Sequence, residues 1–172
     1  TDQKGKARKW DVATRTTKQG TGADAVVIIP LLMKYGADRS TDDLLLMDTL
    51  IVEQFRPPMG QLTAEFPAGL IDKDESPETA ALRELLEETG YVGERCKIIP
   101  QVSRQACMSP GVTDESVHIV VVHVDLDNPY NHGTPKQEVD EGEQGTVKRV
   151  GLQDGLREVL EKGQSMPIEG LD

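Results

Sequence analysis

The sequence lacks long apolar runs and is poor in aromatic residues. Aromatics make up 3% of its 172 positions, so a core must be built mainly from Val, Leu, Ile and Ala. A chain of this length suits one domain with a sizeable core. No stretch reaches the roughly 18 consecutive apolar residues of a transmembrane helix. The polar start TDQKGKARKW lacks the apolar centre of a signal peptide and an initiator Met, which is consistent with removal of the true N-terminus.

Cysteine and positive charge are also scarce. Cys96 and Cys107 have no metal-site or disulfide spacing, which predicts free thiols in a reducing cytoplasm. The lack of a long apolar run predicts no membrane partner. With 19 basic and 30 acidic residues, the formal net charge is −11. That balance argues against a nucleic-acid groove, which needs clustered Lys and Arg. An acidic excess is typical of a solvated surface and bears on function only where carboxylates converge.

Apolar runs separated by turn residues predict the order of elements. Strands are expected at 25–33, 44–55, 62–68, 97–105, 116–126 and 146–151, and a C-terminal helix at 152–162. Pro30 indicates an edge position or a bulge, because proline cannot donate to the ladder. The long segment 125–145 is either a functional loop or a solvated acidic one. Several strands around one central helix indicate the mixed α/β class.

The segment GLIDKDESPETAALRELLEETGY, residues 69–91, contains the best-marked helix, predicted at 77–89. Ser76 suits the N-cap, Pro77 the first helical position and Gly90 the C-terminal stop. A helical wheel places one group of apolar side chains, Ala81, Leu82, Leu85 and Leu86, on one face. It places three carboxylates, Glu84, Glu87 and Glu88, on the opposite side. Like charges at this spacing cost about 0.2–0.5 kcal/mol per pair, so the acidic flank needs an explanation.

Two interpretations account for the acidic flank. Arg83 can pair with Glu87 four residues on, as in an exposed helix stabilised by ion pairs. Alternatively, the carboxylates serve a hard divalent cation, which is held by a few carboxylates together with waters and phosphate oxygens. Gly69 and Glu75 lie in a turn-rich segment that can fold back over the flank, and few cations lie nearby in sequence. These features favour the cation site.

The spacing within this segment resembles the Nudix box position for position. Gly69 is followed by five residues and Glu75, then by seven residues and RELLEETGY. The one loose fit is Tyr91, where an aliphatic residue is more usual. The resemblance implies an α/β/α sandwich with a mixed β-sheet and a loop–helix–loop catalytic motif. It also implies cleavage of nucleoside diphosphates linked to another moiety.

The resemblance implies a divalent metal, Mg²⁺ with Mn²⁺ as a substitute. The implied metal ligands are Glu84 and Glu88 first, Glu87 next, and the backbone carbonyl near Ala68. Arg83 would orient a carboxylate, Glu75 would support the loop, and Gly69 would permit a tight turn. The metal would neutralise the pyrophosphate, activate water and stabilise the leaving phosphate.

The flanks of the box resemble the ADP-ribose and ADP-sugar diphosphatases. The similar segments are VEQFRPPMGQLTAEFPAGLI at 52–71, ACMSPGVTDESVHIVVV at 106–122, and KWDVATRTT near the N-terminus. In that subfamily an N-terminal Trp stacks on adenine across a dimer interface, with an Arg and an acidic residue nearby. The implied partners are a nucleotide sugar and, in a homodimer, a second copy of the chain.

By this resemblance Trp10, Asp11 and Arg15 would hold the base, although a lone Trp is more often core filler. Arg56 lies beside two prolines that fix its backbone, and an arginine fork suits a diphosphate better than lysine does. The remaining candidates for the pocket lining are Met108 and Gly111, with Arg104 a weaker candidate for anion binding.

For the general base, the resemblance favours Glu143, in the loop sequence DEGEQG. Glu141, Glu138 and a box carboxylate remain alternatives. The three histidines, His118, His123 and His132, share no metal-site spacing and are interpreted as structural. Cys107 has no partner His nearby in sequence, which argues against a thiol nucleophile.

The main prediction is Mg²⁺-dependent hydrolysis of ADP-ribose to AMP and ribose 5-phosphate in the cytoplasm, with the nucleus as an alternative location. The alternatives are another nucleoside diphosphate sugar, an oxidised nucleotide, or a nucleotide-sensing module without turnover. Loss of Glu84 or Glu88 would have indicated the sensing module, and both are present. Residues 1–24 are expected to form an arm for the dimer or the base, and residues 25–172 the Nudix domain.

Overall fold

The computed structural model describes residues 2–16, 22–33, 47–100, 102–133, 135–137 and 145–162. The strands are β1 (Ala25–Met33), β2 (Asp48–Arg56), β3 (Gln61–Glu65), β4 (Ala68–Leu70), β5 (Glu94–Arg95), β6 (Ala106–Cys107), β7 (Ser116–Asp125) and β8 (Gly145–Gly151). The helices are α1 (Pro77–Thr89) and α2 (Asp154–Lys162), with a 3-10 turn at Pro129–Asn131. The predicted α/β class is confirmed. In the described part of the chain, no helix is long and apolar enough to cross a membrane.

One mixed sheet contains all eight of these strands. Its main path runs β3-β2-β1-β7-β5, with β4 beside β1, β6 beside β7 and β8 beside β2. The two central strands, β1 and β7, are parallel, and their register runs from Ala25↔Val117 to Met33↔Asp125. The remaining strand pairs are antiparallel. The sheet therefore has a parallel centre, and the short strands β4 and β6 pair with its two central strands.

Pro30 lies in the centre of the sheet, so the predicted edge position or bulge is wrong. It is buried and pairs in register with Val122 of β7. On the other side of β1, the described registers use Ala25–Val27 and Leu32. The amide of Ile28 points to that same side, where it donates to a carbonyl oxygen. Backbone amides of alternate residues in a strand point to the same side, so the nitrogen of Pro30 points to the same side as the amide of Ile28. There it lies in the gap between the two described registers, where no backbone donor is needed.

Two other strand predictions differ from the structure. The single strand expected at 62–68 is two strands, β3 and β4, because the ladder breaks at Phe66 and Pro67. The strand expected at 97–105 is wrong, since residues 97–99 form bends and the nearest strands are the short β5 and β6. Here Ile98 packs on a cluster beside the sheet while Ile99 is exposed, so the apolar run does not extend the ladder.

The remaining boundaries agree with the sequence to within a few residues. This holds for β1, β7, β8, both helices and the start of β3. The expected second strand at 44–55 corresponds to β2 from Asp48, and residues 44–46 lie outside the described part of the chain. The long loop at 125–145 contains the 3-10 turn, while residues 138–144 lie outside that part.

The capping prediction for α1 is confirmed at both ends. The Ser76 side chain accepts a hydrogen bond from the Thr79 amide, and Pro77 occupies the first turn. Gly90 adopts a left-handed φ of 74° and its amide donates to the Leu86 carbonyl at 2.8 Å. A Cβ at Gly90 would also lie 2.6 Å from the carbonyl oxygen of Lys136, so only glycine fits both the turn and this contact.

Helix α1 packs on one face of the sheet and fixes the direction of its acidic flank. Its buried residues are Ala80, Ala81, Leu85 and Thr89, and the first three pack with apolar side chains of β1, β2 and β7. Leu86 is 38% exposed, so its assignment to the packed face was wrong. The packed face centres on Ala81 and Leu85, and Leu86 lies beyond its edge.

Candidate active site

A cleft of about 770 Å³ opens between the acidic flank of α1 and the ends of the central strands. Its lining contains most of the residues predicted from the sequence: Arg15, Arg56, Ala68, Arg83, Glu84, Glu87, Glu88 and Met108. The predicted residues Trp10, Asp11 and Gly111 are exposed and do not line it. Glu143, Glu141 and Glu138 lie outside the described residues. The fold therefore brings the acidic helix and two arginines into one cavity.

Arg83 is the centre of the polar network at the acidic flank. Its guanidinium donates to Glu75 at 3.1 and 2.9 Å, to Glu84 at 2.8 Å and to Glu87 at 3.0 Å. It also donates to the Leu70 carbonyl at 2.9 Å, which ties the helix to the loop before it. The predicted Arg83–Glu87 pair is present, but as one contact of a larger network. One cation thus holds three carboxylates and the loop together.

Glu75 and Arg83 shift each other's protonation equilibria in opposite directions. Hydrogen bonds from Arg83 hold the pKa of the Glu75 carboxyl below its ordinary value, against the opposing effect of burial. The Glu75 carboxylate in turn is the main cause that raises the pKa of Arg83. Glu75 also accepts a hydrogen bond from the Asp72 amide at 3.0 Å, which closes the turn before α1. Both groups therefore remain charged across the physiological pH range.

Gly69 brings the backbone of β4 into direct contact with the box helix. A Cβ at this position would lie 1.9 Å from the carboxyl carbon of Glu84 and 2.1 to 2.2 Å from its oxygens. Real Cβ atoms do not approach other atoms so closely, so the space beside the Glu84 carboxylate exists only because residue 69 is glycine.

Glu88 connects the helix to β4 and to a second loop. Its carboxylate accepts a hydrogen bond from the Ala68 amide at 3.0 Å. Its backbone carbonyl accepts one from the Gln137 side chain at 2.5 Å, and Gln137 also lines the cleft. Gln137 was not predicted as a site residue, because its contact spans 49 positions and a lone Gln in a loop gives no sequence signal.

Arg56, at the end of β2, is held on the cleft wall by Glu65 of β3. The two side chains form a bidentate pair, with Nε–Oε1 at 2.9 Å and Nη2–Oε2 at 2.6 Å. The Thr63 hydroxyl also hydrogen-bonds to Glu65. Arg56 is the main cause that lowers the pKa of the Glu65 carboxyl. Glu65 was not predicted: the register of β2 and β3 pairs it with Val52, and the two side chains meet only by reaching along the face of the sheet.

The N-terminal segment runs along the Ser109-Pro110-Gly111 turn. The Trp10 indole donates to the Gly111 carbonyl at 3.0 Å, and the Ala13 amide donates to Val112 at 2.8 Å. Arg15 pairs with Glu115, with Nη2–Oε1 at 2.6 Å, and both side chains line the cleft. Trp10 is 73% exposed, which excludes a role as core filler. The arm thus reaches the cleft at Arg15, while Trp10 lies on the outer surface.

The histidines and cysteines are not part of the cleft lining. His118 and His123 lie in β7, as expected of sheet residues, and none of the three histidines lines the cleft. Both cysteines are free thiols, as predicted, and Cys96 is buried while Cys107 is exposed. Arg104 is exposed and is not part of the cleft lining.

The donors on the acidic flank fit a hard divalent cation by chemistry. Carboxylate and carbonyl oxygens are the ligands that such cations prefer, and Gly69 leaves space beside Glu84. Within the described ranges, no three His, Cys, Asp or Glu side chains converge as a ready-made metal cluster. Instead Glu84 and Glu87 share Arg83, and Glu88 faces the Ala68 amide. The flank therefore supplies suitable donors, two of which, Glu84 and Glu87, are held here by Arg83.

Comparison with known proteins identifies the class. A family model for the NUDIX domain matches residues 38–166. The chain is 44% identical to a mouse ADP-sugar pyrophosphatase over 83% of this chain and 59% of that protein. It is also 44% identical to a Saccharomyces cerevisiae ADP-ribose pyrophosphatase, over 76% of this chain and 52% of that protein.

An uncharacterized Nudix hydrolase of Schizosaccharomyces pombe is 36% identical over 97% of this chain and 76% of its own length. The chain therefore belongs to the Nudix family, whose members generally need a divalent metal. Within that family it is similar to the ADP-ribose and ADP-sugar pyrophosphatases. The chain spans 59% and 52% of the length of the mouse and S. cerevisiae relatives.

Proposed function

We propose that this chain is a hydrolase that cleaves the pyrophosphate bond of ADP-ribose and related ADP-sugars. ADP-ribose would yield AMP and ribose 5-phosphate, with Mg²⁺ as the natural cofactor and Mn²⁺ as a substitute. The observation that carries this proposal is the cleft itself, in which the carboxylates of α1 lie in one cavity with Arg15 and Arg56. The names of the mouse and yeast relatives support the choice of substrate.

Metal binding is assigned to the α1 flank. Glu84 and Glu88 would be the main ligands, with Glu87 and the Ala68 backbone carbonyl beside them. When bound, a divalent cation supplies charge neutralisation of the diphosphate and lowers the pKa of a coordinated water. The role of Arg83 is to hold the carboxylates and the loop in place, since it contacts both.

Substrate orientation is assigned to the arginines. A planar guanidinium matches the oxygens of a phosphate, and Glu65 fixes the plane of Arg56 at the cleft wall. Met108 and Arg15 line the same cavity and would contact the nucleoside end. In an acidic protein such local cations are what allow an anionic substrate to approach.

The arm of residues 1–24 is proposed to serve base binding and dimer formation, with residues 25–172 as the catalytic domain. Trp10 presents an exposed ring, and Asp11 and Gly111 lie at the same exposed surface. Stacking of a base on such a ring is favourable by about 1–3 kcal/mol. Because Trp10 does not line the cleft of its own chain, a homodimer would place it against the substrate of the second copy.

Glu143 is proposed as the general base. The position of Gln137 supports this assignment, because Gln137 is hydrogen-bonded to the end of α1, lines the cleft and precedes Glu143 closely in the sequence.

The net charge of −11 supports a small-molecule substrate over nucleic acid. A cytoplasmic location is likewise proposed, on the basis of the free thiols.

The test is to incubate the protein with ADP-ribose and Mg²⁺ and to measure AMP and ribose 5-phosphate. A Glu88→Gln variant should lose turnover, whereas Glu158→Gln on α2, outside the cleft, should retain it. GDP-mannose and an oxidised guanosine diphosphate, assayed identically, should be cleaved more slowly. Binding of ADP-ribose without AMP would instead favour the sensing module, and equal turnover by Glu88→Gln would contradict the proposed metal site.

A further inference from the structure

A second group of metal-binding residue types lies on the face of the sheet away from α1. The register pairs His123 with Leu31 of β1 and with Glu94 of β5. Side chains two residues apart on a strand share a face, so Met33 lies on the same face of the sheet. Val122 and Val124 alternate with His123 and pack with α1 on the other face. This group is therefore separate from the hydrolytic cleft.

These side chains line a small cavity that is partly open to solvent. It has a volume of about 10 Å³ and is lined by Leu31, Met33, Cys96, Lys97, Ile98 and His123. Met33, Cys96 and His123 are each more than nine-tenths buried. A cavity of about 10–15 Å³ has room for one water-sized particle. Lys97 is exposed, so its carbon stem lines the cavity while its charged end can remain in solvent.

His123 presents an unsatisfied nitrogen here. Its Nδ1 lies 2.7 Å from the Glu94 carboxylate, which makes Nδ1 the protonated nitrogen of the neutral ring. The lone pair therefore lies on Nε2, which is buried and has no hydrogen-bond partner among the residues that the structure describes. Metal-binding histidines are held in this way, with a carboxylate on the second nitrogen.

We propose that this cavity is a binding site for a soft monovalent cation of the Cu⁺ type. The ligands are the Cys96 thiolate, the Met33 thioether and His123 Nε2. Thiolate and thioether sulfur select soft cations over Mg²⁺, and imidazole accepts them as well. Three ligands suit the low coordination number of Cu⁺.

Charge balance supports the monovalent ion. On binding, the Cys96 thiol releases its proton to solvent, a sulfur–copper bond forms, and no electron is transferred. The resulting thiolate–Cu⁺ pair is neutral, so its burial avoids the large cost of an isolated buried charge. Neither Cys96 nor His123 lines the cleft, so the site does not depend on the hydrolase function.

The test uses Cu⁺ supplied anaerobically as its bicinchoninate complex, with the folded full chain as competitor. A Cys107→Ser background removes the exposed thiol. In that background the protein should withdraw about one equivalent of Cu⁺, and Cys96→Ser should abolish this tight binding. His118→Gln, in the same strand but bonded to the Ser103 carbonyl, is the matched control and should bind as the background does.

Glu94→Gln keeps all three ligands and guards against loss of folding in the cysteine variant. It should weaken Cu⁺ binding about tenfold or more, because the ring loses its orienting carboxylate. X-ray absorption at the copper edge should show both nitrogen and sulfur ligands. Equal binding by the Cys96→Ser variant, no competition by the background protein, or an all-sulfur environment would each overturn the proposal, and the cavity would then hold only a water on Nε2.

Discussion

The Nudix box, residues 69–91, and the N-terminal arm, residues 1–24, differ in how far apart in sequence their polar contacts lie. In the box, Arg83 reaches Glu84, Glu87 and Glu75, which are one, four and eight positions away, and the Glu75 and Glu84 side chains are only 11% and 14% exposed. In the arm, Arg15 and Trp10 reach partners 100 and 101 positions away on an exposed surface. The contacts proposed for metal binding are thus local and closely connected, while those proposed for base binding depend on distant, solvated contacts. Mutations in the box should accordingly have larger effects.

The largest effect is expected for Arg83→Ala. Three carboxylates would lose their shared cation and repel one another, so kcat should fall about 100-fold. The free energy of unfolding should fall by about 1–2 kcal/mol, because the side chain is partly shielded. Steady-state kinetics and urea unfolding measure the two effects.

Arg95→Ala is the control for Arg83→Ala. Its ion pair with Glu78 is long, at 3.8 Å, and its side chain is 69% exposed. It should change stability by less than about 0.5 kcal/mol and leave kcat unchanged. Similar losses in both variants would contradict a special role for the Arg83 network.

Two glycine substitutions compare the regions directly. Gly69→Ala would place a Cβ 1.9 Å from the Glu84 carboxyl carbon, so this carboxylate must move. A displacement of about 1 Å at a reacting site costs up to about 100-fold in rate, and we expect a fall of about 10–100-fold in kcat. A Cβ added at Gly111, in the Ser109-Pro110-Gly111 turn, would meet nothing within 4 Å, so Gly111→Ala should leave kcat nearly unchanged. Equal activity of both variants would show that the space beside Glu84 is not used.

What could be predicted from the sequence follows the same division. The box helix, its caps and its carboxylates were predictable because their contacts lie within one turn-and-helix segment. Glu65, Glu115 and Gln137 were not, because their roles depend on strand pairing or on contacts between distant segments. An edge position for Pro30 also could not be excluded, since the gap on β1 between its two described registers is seen only in the assembled sheet.

Arg56→Lys should have an intermediate effect, on substrate binding. Lysine keeps the charge but loses the fork that pairs with Glu65 and matches a diphosphate. KM for ADP-ribose should rise about tenfold with little change in kcat, because the lost contact is expected to be equally strong in the ground state and the transition state. Arg149→Lys is the control, because its pair with Asp48 lies outside the cleft, and its KM should be unchanged. A fall in kcat without a rise in KM would contradict this assignment.

The smallest effect is expected in the pH dependence of stability at Glu65. Arg56 depresses the folded-state pKa of this carboxyl below the unfolded value of about 4.3. The folded state therefore binds fewer protons, and the contribution is fully present above the unfolded pKa and is lost as pH falls through the folded pKa. Since the pair is partly exposed, we expect about 0.5–1 kcal/mol at pH 7.

Urea unfolding of the wild-type chain and of Glu65→Gln between pH 7 and about pH 3 measures this contribution. The difference between the two free energies of unfolding should be largest near neutral pH and should shrink on acidification. Glu53→Gln, whose pair with Lys148 lies outside the cleft, is the matched control. A difference that is constant with pH would mean that ionisation of Glu65 does not contribute to the stability of the fold, and would contradict this prediction.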